Sequence, residues 1–168
     1  MSSRFRCAAV TLIVVAVALG VWYGYPNDAR AIRRQLDRLS ADISAGAEET
    51  DFARLARAAR IGRYFSEDVR IQVTGLSAIT GRGALVALAA QARQADPGFR
   101  LDFVDVQVSV DPDHQHATVS LTARVTTTSP AAGQSDTDAR ELRFIFRKVE
   151  REWLVAQVTD VAAIERVS

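Results

Sequence analysis

Between Cys7 and Tyr25 the chain runs for 19 residues without a charge, as CAAVTLIVVAVALGVWYGY. A helix rising about 1.5 Å per residue would carry such a run across roughly the 30 Å of hydrocarbon in a bilayer. Trp22, Tyr23 and Tyr25 gather at one end, where amphipathic rings favour the headgroup region, and Arg4 and Arg6 precede the other. Pro26, Asn27 and Asp28 then stop the run and open a polar segment. This pattern predicts a short tail and transmembrane helix over residues 1–27 and a water-soluble domain over residues 28–168. A cleaved signal peptide is the competing reading, with Ala18 and Gly20 as small residues before a cut. The continuation of the run into bulky aromatics favours a retained anchor. A lipoprotein is disfavoured because Cys7 precedes the apolar run.

The basic residues do not fix orientation by count. Arg4, Arg6 and the terminal amine lie on one side, Arg30, Arg33, Arg34 and Arg38 on the other. A short cationic tail before a first span usually stays in the cytoplasm, which favours an exported domain. Arg supplies nearly every positive charge, Lys148 being the sole lysine, and alanine is abundant, a bias associated with GC-rich bacterial genomes. The expected location is therefore a bacterial inner membrane, single-pass, with the domain on the periplasmic side.

Some function classes are excluded early. All 20 acidic residues and 19 of the 21 basic ones follow Pro26, so the soluble part is nearly neutral and has no general attraction for nucleic acid. Cys7 is the only cysteine, which rules out an intrachain disulfide and a thiolate metal cluster.

Hydrophobic periodicity then gives the elements. Ile32, Leu36, Leu39 and Ile43 form the stripe of an amphipathic helix capped by Asp28. Asp51 can cap a second helix reaching Gly62, expected to bury Phe52, Leu55, Ala56 and Ala59. Arg54, Arg57, Arg60 and Arg63 recur on it every third residue, either as a solvated face or as an anion-binding one that could meet lipid headgroups. Val69, Ile71 and Val73 alternate with polar residues as a strand, and Gly75, Gly81 and Gly83 bracket a loop. GALVALAAQARQA reads as a third helix.

Strands fill the rest. The alternation slips between Phe103 and Val104, which marks a β-bulge. Ala117 to Val125 alternate cleanly, residues 129–138 read as a connection, Leu142, Phe144 and Phe146 alternate, and a tight turn at Glu150-Arg151 leads to a last strand from Trp153 to about Val161. The fold class expected is α+β, a curved antiparallel sheet packed on three helices and preceded by the single transmembrane helix.

Three stretches carry a family resemblance: RYFSEDVRIQVTG, TGRGALVALAAQ and REWLVAQVTDV. The element order around them resembles the nuclear-transport-factor-2-like superfold, the cone-shaped fold of ketosteroid isomerase and the SnoaL-like polyketide cyclases, over residues 28–161. The resemblance implies a pocket between sheet and helices, with Tyr64, Phe103, Phe144 and Trp153 as candidate ligand-binding residues. It also implies that enzymes of the superfamily place carboxylates, tyrosines or histidines in that cone.

The apolar phases of the strands contain no ionisable group, so no catalytic constellation is evident. Tyr64 with Asp68 or Asp102 could form a general acid and base, against the plainer reading of a half-buried tyrosine and capping acids. His114 and His116, spaced i, i+2 so that a strand would put both on one face, invite a metal site with Asp111 and Asp113 nearby, but a tight polar turn is normally a solvated one, no third ligand is evident, and no metal or other cofactor is expected. Two functions stay open. One is a non-enzymatic, membrane-anchored interaction or accessory subunit of a bacterial membrane complex, whose partners are the lipid bilayer and a protein, or a second copy across the polar sheet face. The other is a tethered SnoaL-like enzyme or binder of a small apolar ligand.

Overall fold

The computed structural model describes residues 28–44, 50–95, 99–129 and 134–161. The predicted span Cys7–Tyr25, with Arg4, Arg6, Trp22, Tyr23 and Tyr25, lies outside the described residues. Among the described residues no helix is long and apolar enough to cross a membrane.

Helix α1 covers residues 28–44 and turns Ile32, Leu36 and Leu39 into the core, each almost fully buried, as its stripe predicts. Two serines fasten its second half to the sheet: Ser40 Oγ donates to the Leu101 carbonyl at 2.6 Å, and Ser44 Oγ accepts from the Leu101 N–H at 2.9 Å. Helix α2, Asp51–Arg63, is capped by Thr50, whose hydroxyl accepts from the Ala53 N–H, rather than by Asp51. Helix α3 spans Arg82–Ala95.

The expected facing of α2 is overturned. Phe52 and Leu55 stand 82% and 63% exposed, Ala56 and Ala59 are exposed too, and the buried residues are Ala58, Ile61 and Gly62. Gly62 decides the facing: a Cβ there would lie 2.7 Å from Val86 Cγ2, so only glycine lets α3 approach this closely.

Six strands form one sheet in the order β2-β1-β6-β5-β4-β3. They are β1 Phe65–Gln72, β2 Ile79–Thr80, β3 Phe99–Val110, β4 His116–Ser129, β5 Gln134–Val149 and β6 Glu152–Asp160. The sheet is mixed, not wholly antiparallel, because β1 and β6 pair in parallel. The chain leaves β1 through β2 and α3, starts again at the far edge with β3, and returns by three hairpins until β6 lies beside β1. Residues 79–80, expected in a loop, fold back antiparallel on Arg70 and Ile71. Two residues are too few to display alternation.

The bulge in β3 is confirmed: the register shifts between Val104 and Gln107, and Asp105 adopts a φ of 54°. The connection expected over residues 129–138 is much shorter, since β4 runs to Ser129 and β5 starts at Gln134. The inner sheet face carries Val69, Val119, Leu121, Phe144, Phe146 and Val155 onto the α1 stripe, and this is the core.

A candidate arginine-lined cleft

A cleft of about 420 Å³ opens between α1, the end of α2 and the β5–β6 turn. Ala31, Gln35 and Arg38 come from α1, where steps of four and three put them on one side. Arg60, Arg63 and Tyr64 come from the last turn and C-cap of α2, and Arg151, Glu152, Trp153 and Leu154 from the β5–β6 turn and the start of β6. Four arginines thus line one space with a single acidic residue, Glu152, among the lining residues.

Tyr64 forms part of the wall and donates its hydroxyl to Asp42 Oδ2 at 2.8 Å. Arg60 Nε lies 3.6 Å from the other oxygen of that carboxylate. Burial, and then the hydrogen bond to the Asp42 carboxylate, push the Tyr64 phenol up to about 12. The phenol therefore holds its proton through the physiological range and is not poised as a base.

Behind Trp153 lies a half-buried polar knot. Asp28 accepts from Lys148 Nζ at 2.8 Å and from Trp153 Nε1 at 3.1 Å, and His114 Nδ1 lies 3.2 Å from its second oxygen. The Lys148 ammonium also sits 5.0 Å above the Trp153 ring. Burial alone would raise the Asp28 pKa, but the hydrogen bonds from Lys148, Trp153 and His114 outweigh it and hold the carboxyl below its ordinary value. The knot fixes α1 at Asp28 against β5, β6 and the β3–β4 turn, and so fixes the α1 wall of the cleft.

The structure divides the residues singled out in the sequence. Tyr64 and Trp153 line the cleft together. Phe103 and Phe144 do not reach it. They meet edge-on in the core with centroids 5.8 Å apart, and Phe144 stacks on Phe146 at 6.3 Å. Asp68 is no partner of Tyr64: it lies exposed on the outer side of β1, bound by Arg147 Nη2 at 2.7 Å. The Ser66 hydroxyl and then Arg147 hold it below its ordinary pKa. Asp102 pairs with Arg100 at 3.0 Å.

The two histidines diverge instead of sharing a face, because His114 adopts a φ of 53° in the turn. His114 reaches Asp28, while His116 Nδ1 meets Asp113 at 2.7 Å. Asp111, Asp113 and His116 bring exposed ligand atoms within 4.8 Å of one another. Asp113 Oδ1, however, already accepts from the N–H groups of both Gln115 and His116, and the Gln115 N–H above all holds its carboxyl down to about 2. Those are the contacts of a capped turn.

Sequence reasoning missed Asp42, Arg38 and Arg151. Asp42 was the most findable, an acid beside Ile43 at the edge of a buried stripe.

A family model described as the SnoaL-like domain matches residues 50–159. The chain belongs to that family. Solved structures agree on the fold. An NTF2-like protein with a cystatin-like fold from Novosphingobium aromaticivorans is 20% identical, with a TM-score of 0.69 over 89% of this chain and 95% of that one. A candidate scytalone dehydratase from the same organism is 14% identical, with a TM-score of 0.63 over 77% and 80% of the two chains. A candidate calcium/calmodulin-dependent protein kinase II association domain from Xanthomonas campestris is 11% identical, with a TM-score of 0.59 over 79% and 86%. No curated protein matches the sequence significantly. At these identities the likeness shows the fold alone.

Proposed function

We propose that the chain is a non-enzymatic interaction module, an accessory subunit of a bacterial membrane complex, held at the inner membrane by the apolar segment 7–25 with its domain on the periplasmic side. The observation that carries this reading is the state of the Tyr64–Asp42 pair beside the cone. Tyr64 is hydrogen-bonded to Asp42 at 2.8 Å and retains its proton to about 12, so it does not serve as a base near neutrality. The sheet face behind it is filled by Phe144, Phe146, Val119 and Val155, all apolar and buried. The uncharged 19-residue run supports the tether.

A second reading, a tethered SnoaL-like enzyme or binder of a small molecule, draws on the cleft itself, where Tyr64 and Trp153 meet beside an acid. Purification of the full chain from its own membranes in mild detergent, with mass spectrometry of what accompanies it, tests the first reading. Stoichiometric companion proteins are expected, and release into the soluble fraction as a bare monomer would reject it. Turnover abolished by Tyr64→Phe in a folded protein would favour the second.

A further inference from the structure

We propose that the arginine-lined cleft binds a phosphoryl group, carried by a small organic phosphate or by a phospholipid headgroup. This goes beyond the module reading and does not depend on which proteins accompany the chain.

The four arginines reach the cleft from three separate segments: Arg38 on α1, Arg60 and Arg63 on α2, and Arg151 in the β5–β6 turn. Cations in the last turn of a helix are ordinarily explained by the partial negative charge there, which accounts for Arg60 and Arg63. It does not account for Arg38 or Arg151, which approach from other elements. Among the described residues only Arg60 of the four has an acidic partner, Asp42, at a loose 3.6 Å and with the arginine side chain 53% exposed. All four are exposed, so solvent screens most of their mutual repulsion, and a bound anion would relieve what remains.

The backbone supplies an independent observation. Arg151 adopts a φ of 74° in a two-residue turn whose other member, Glu150, has a φ of 50°. Both are positions that Asn and Gly fill without strain, and a side chain held there costs about 1–2 kcal/mol. The strain falls on a residue whose side chain lines the cleft.

The chemistry of the lining chooses the anion. Planar guanidinium forks pair two donors with two acceptors, so a carboxylate saturates one or two of them, whereas the oxygens of a phosphoryl group can engage several at once. Ala31, Trp153 and Leu154 offer apolar surface for the organic remainder. The volume admits a group the size of glycerol phosphate with its first substituents.

The test is calorimetric titration of the full chain in nonionic detergent at low salt, with glycerol 3-phosphate, with dihexanoyl phosphatidic acid, and with acetate as the carboxylate control. Saturable binding of at least one phosphoryl compound is expected, weakened roughly tenfold by Arg38→Gln and by Arg151→Gly, the usual scale for one charge-assisted hydrogen bond. Arg151→Gly also relieves the strained φ, so its fold should be at least as stable and its loss of binding cannot be traced to unfolding. Arg33→Gln, exposed on α1 and outside the cleft, should leave binding unchanged. Equal binding of both phosphoryl compounds identifies a free phosphate ligand, and binding of phosphatidic acid alone identifies a headgroup. No saturable binding, equal weakening by Arg33→Gln, or acetate binding as tight as phosphate would each overturn the proposal while leaving the membrane-module reading intact.

Discussion

Tyr64 Oη donates to Asp42 at 2.8 Å, joining the C-cap of α2 to α1 across 22 residues, while Arg60 approaches the other oxygen of the same carboxylate. The phenol is therefore anchored from outside the sheet, with its ring beside the cleft and its proton committed to one acceptor.

A spectroscopic consequence follows. Because the folded phenol is raised to about 12 from an ordinary value near 10, its contribution to stability is fully present below about pH 10 and is lost as pH rises through about 12. Ultraviolet titration at alkaline pH should resolve one late tyrosine, and Tyr64→Phe should remove that step. A titration near 10 for every tyrosine would contradict the geometry. Loss of the single hydrogen bond should cost about 1 kcal/mol in a denaturant melt.

The Asp28 knot predicts an acid-side loss. A carboxyl held below its ordinary value stabilises the fold above its unfolded pKa of about 3.9, and that contribution disappears as pH falls towards the folded value. Asp28→Ala should flatten this part of the pH–stability curve. It should also cost about 2–3 kcal/mol at neutral pH by leaving Lys148 and the Trp153 indole N–H without their acceptor, read as a shift in urea midpoint.

Gly62→Ala inverts the usual rule for helices. In an open helix the change would stabilise by roughly 1 kcal/mol, but here the new methyl meets Val86 Cγ2 at 2.7 Å. A net loss of about 1–3 kcal/mol is expected from overpacking, with recovery in the double variant carrying Val86→Ala. Stabilisation by the single substitution would mean that α2 and α3 do not meet this closely.

At the β5–β6 turn, Glu150→Asn should stabilise by about 0.5 kcal/mol, since Asn tolerates the positive φ that Glu150 adopts. Thermal unfolding measures this directly, and an unchanged or lower midpoint would argue against the two-residue turn.

Where burial repeats along a single element, the sequence disclosed it. The stripe Ile32, Leu36, Leu39 on α1, the slip in phase that bends β3 near Asp105, and the buried Trp153 of β6 were all legible for this reason. The facing of α2 was not. Phe52 and Leu55 stay exposed while Ile61 turns inward beside Gly62, whose close approach to α3 has no side chain to register in a pattern. The parallel pairing of β1 and β6 depends on the route taken by the intervening chain, and no local signal reports a route. The cleft was half visible. Tyr64 and Trp153 were marked as candidates, but Arg38 and Arg151 lie on segments far apart in the chain and meet only through the fold.

The Asp28 knot has a mechanical meaning as well. It ties α1 at Asp28 to β5 and β6 through Lys148 and Trp153, 120 and 125 residues further along the chain. Those strands are interior to the sheet and hydrogen-bonded on both sides. A pull on α1 at Asp28 would thus be spread as shear over two strands, each braced on both sides.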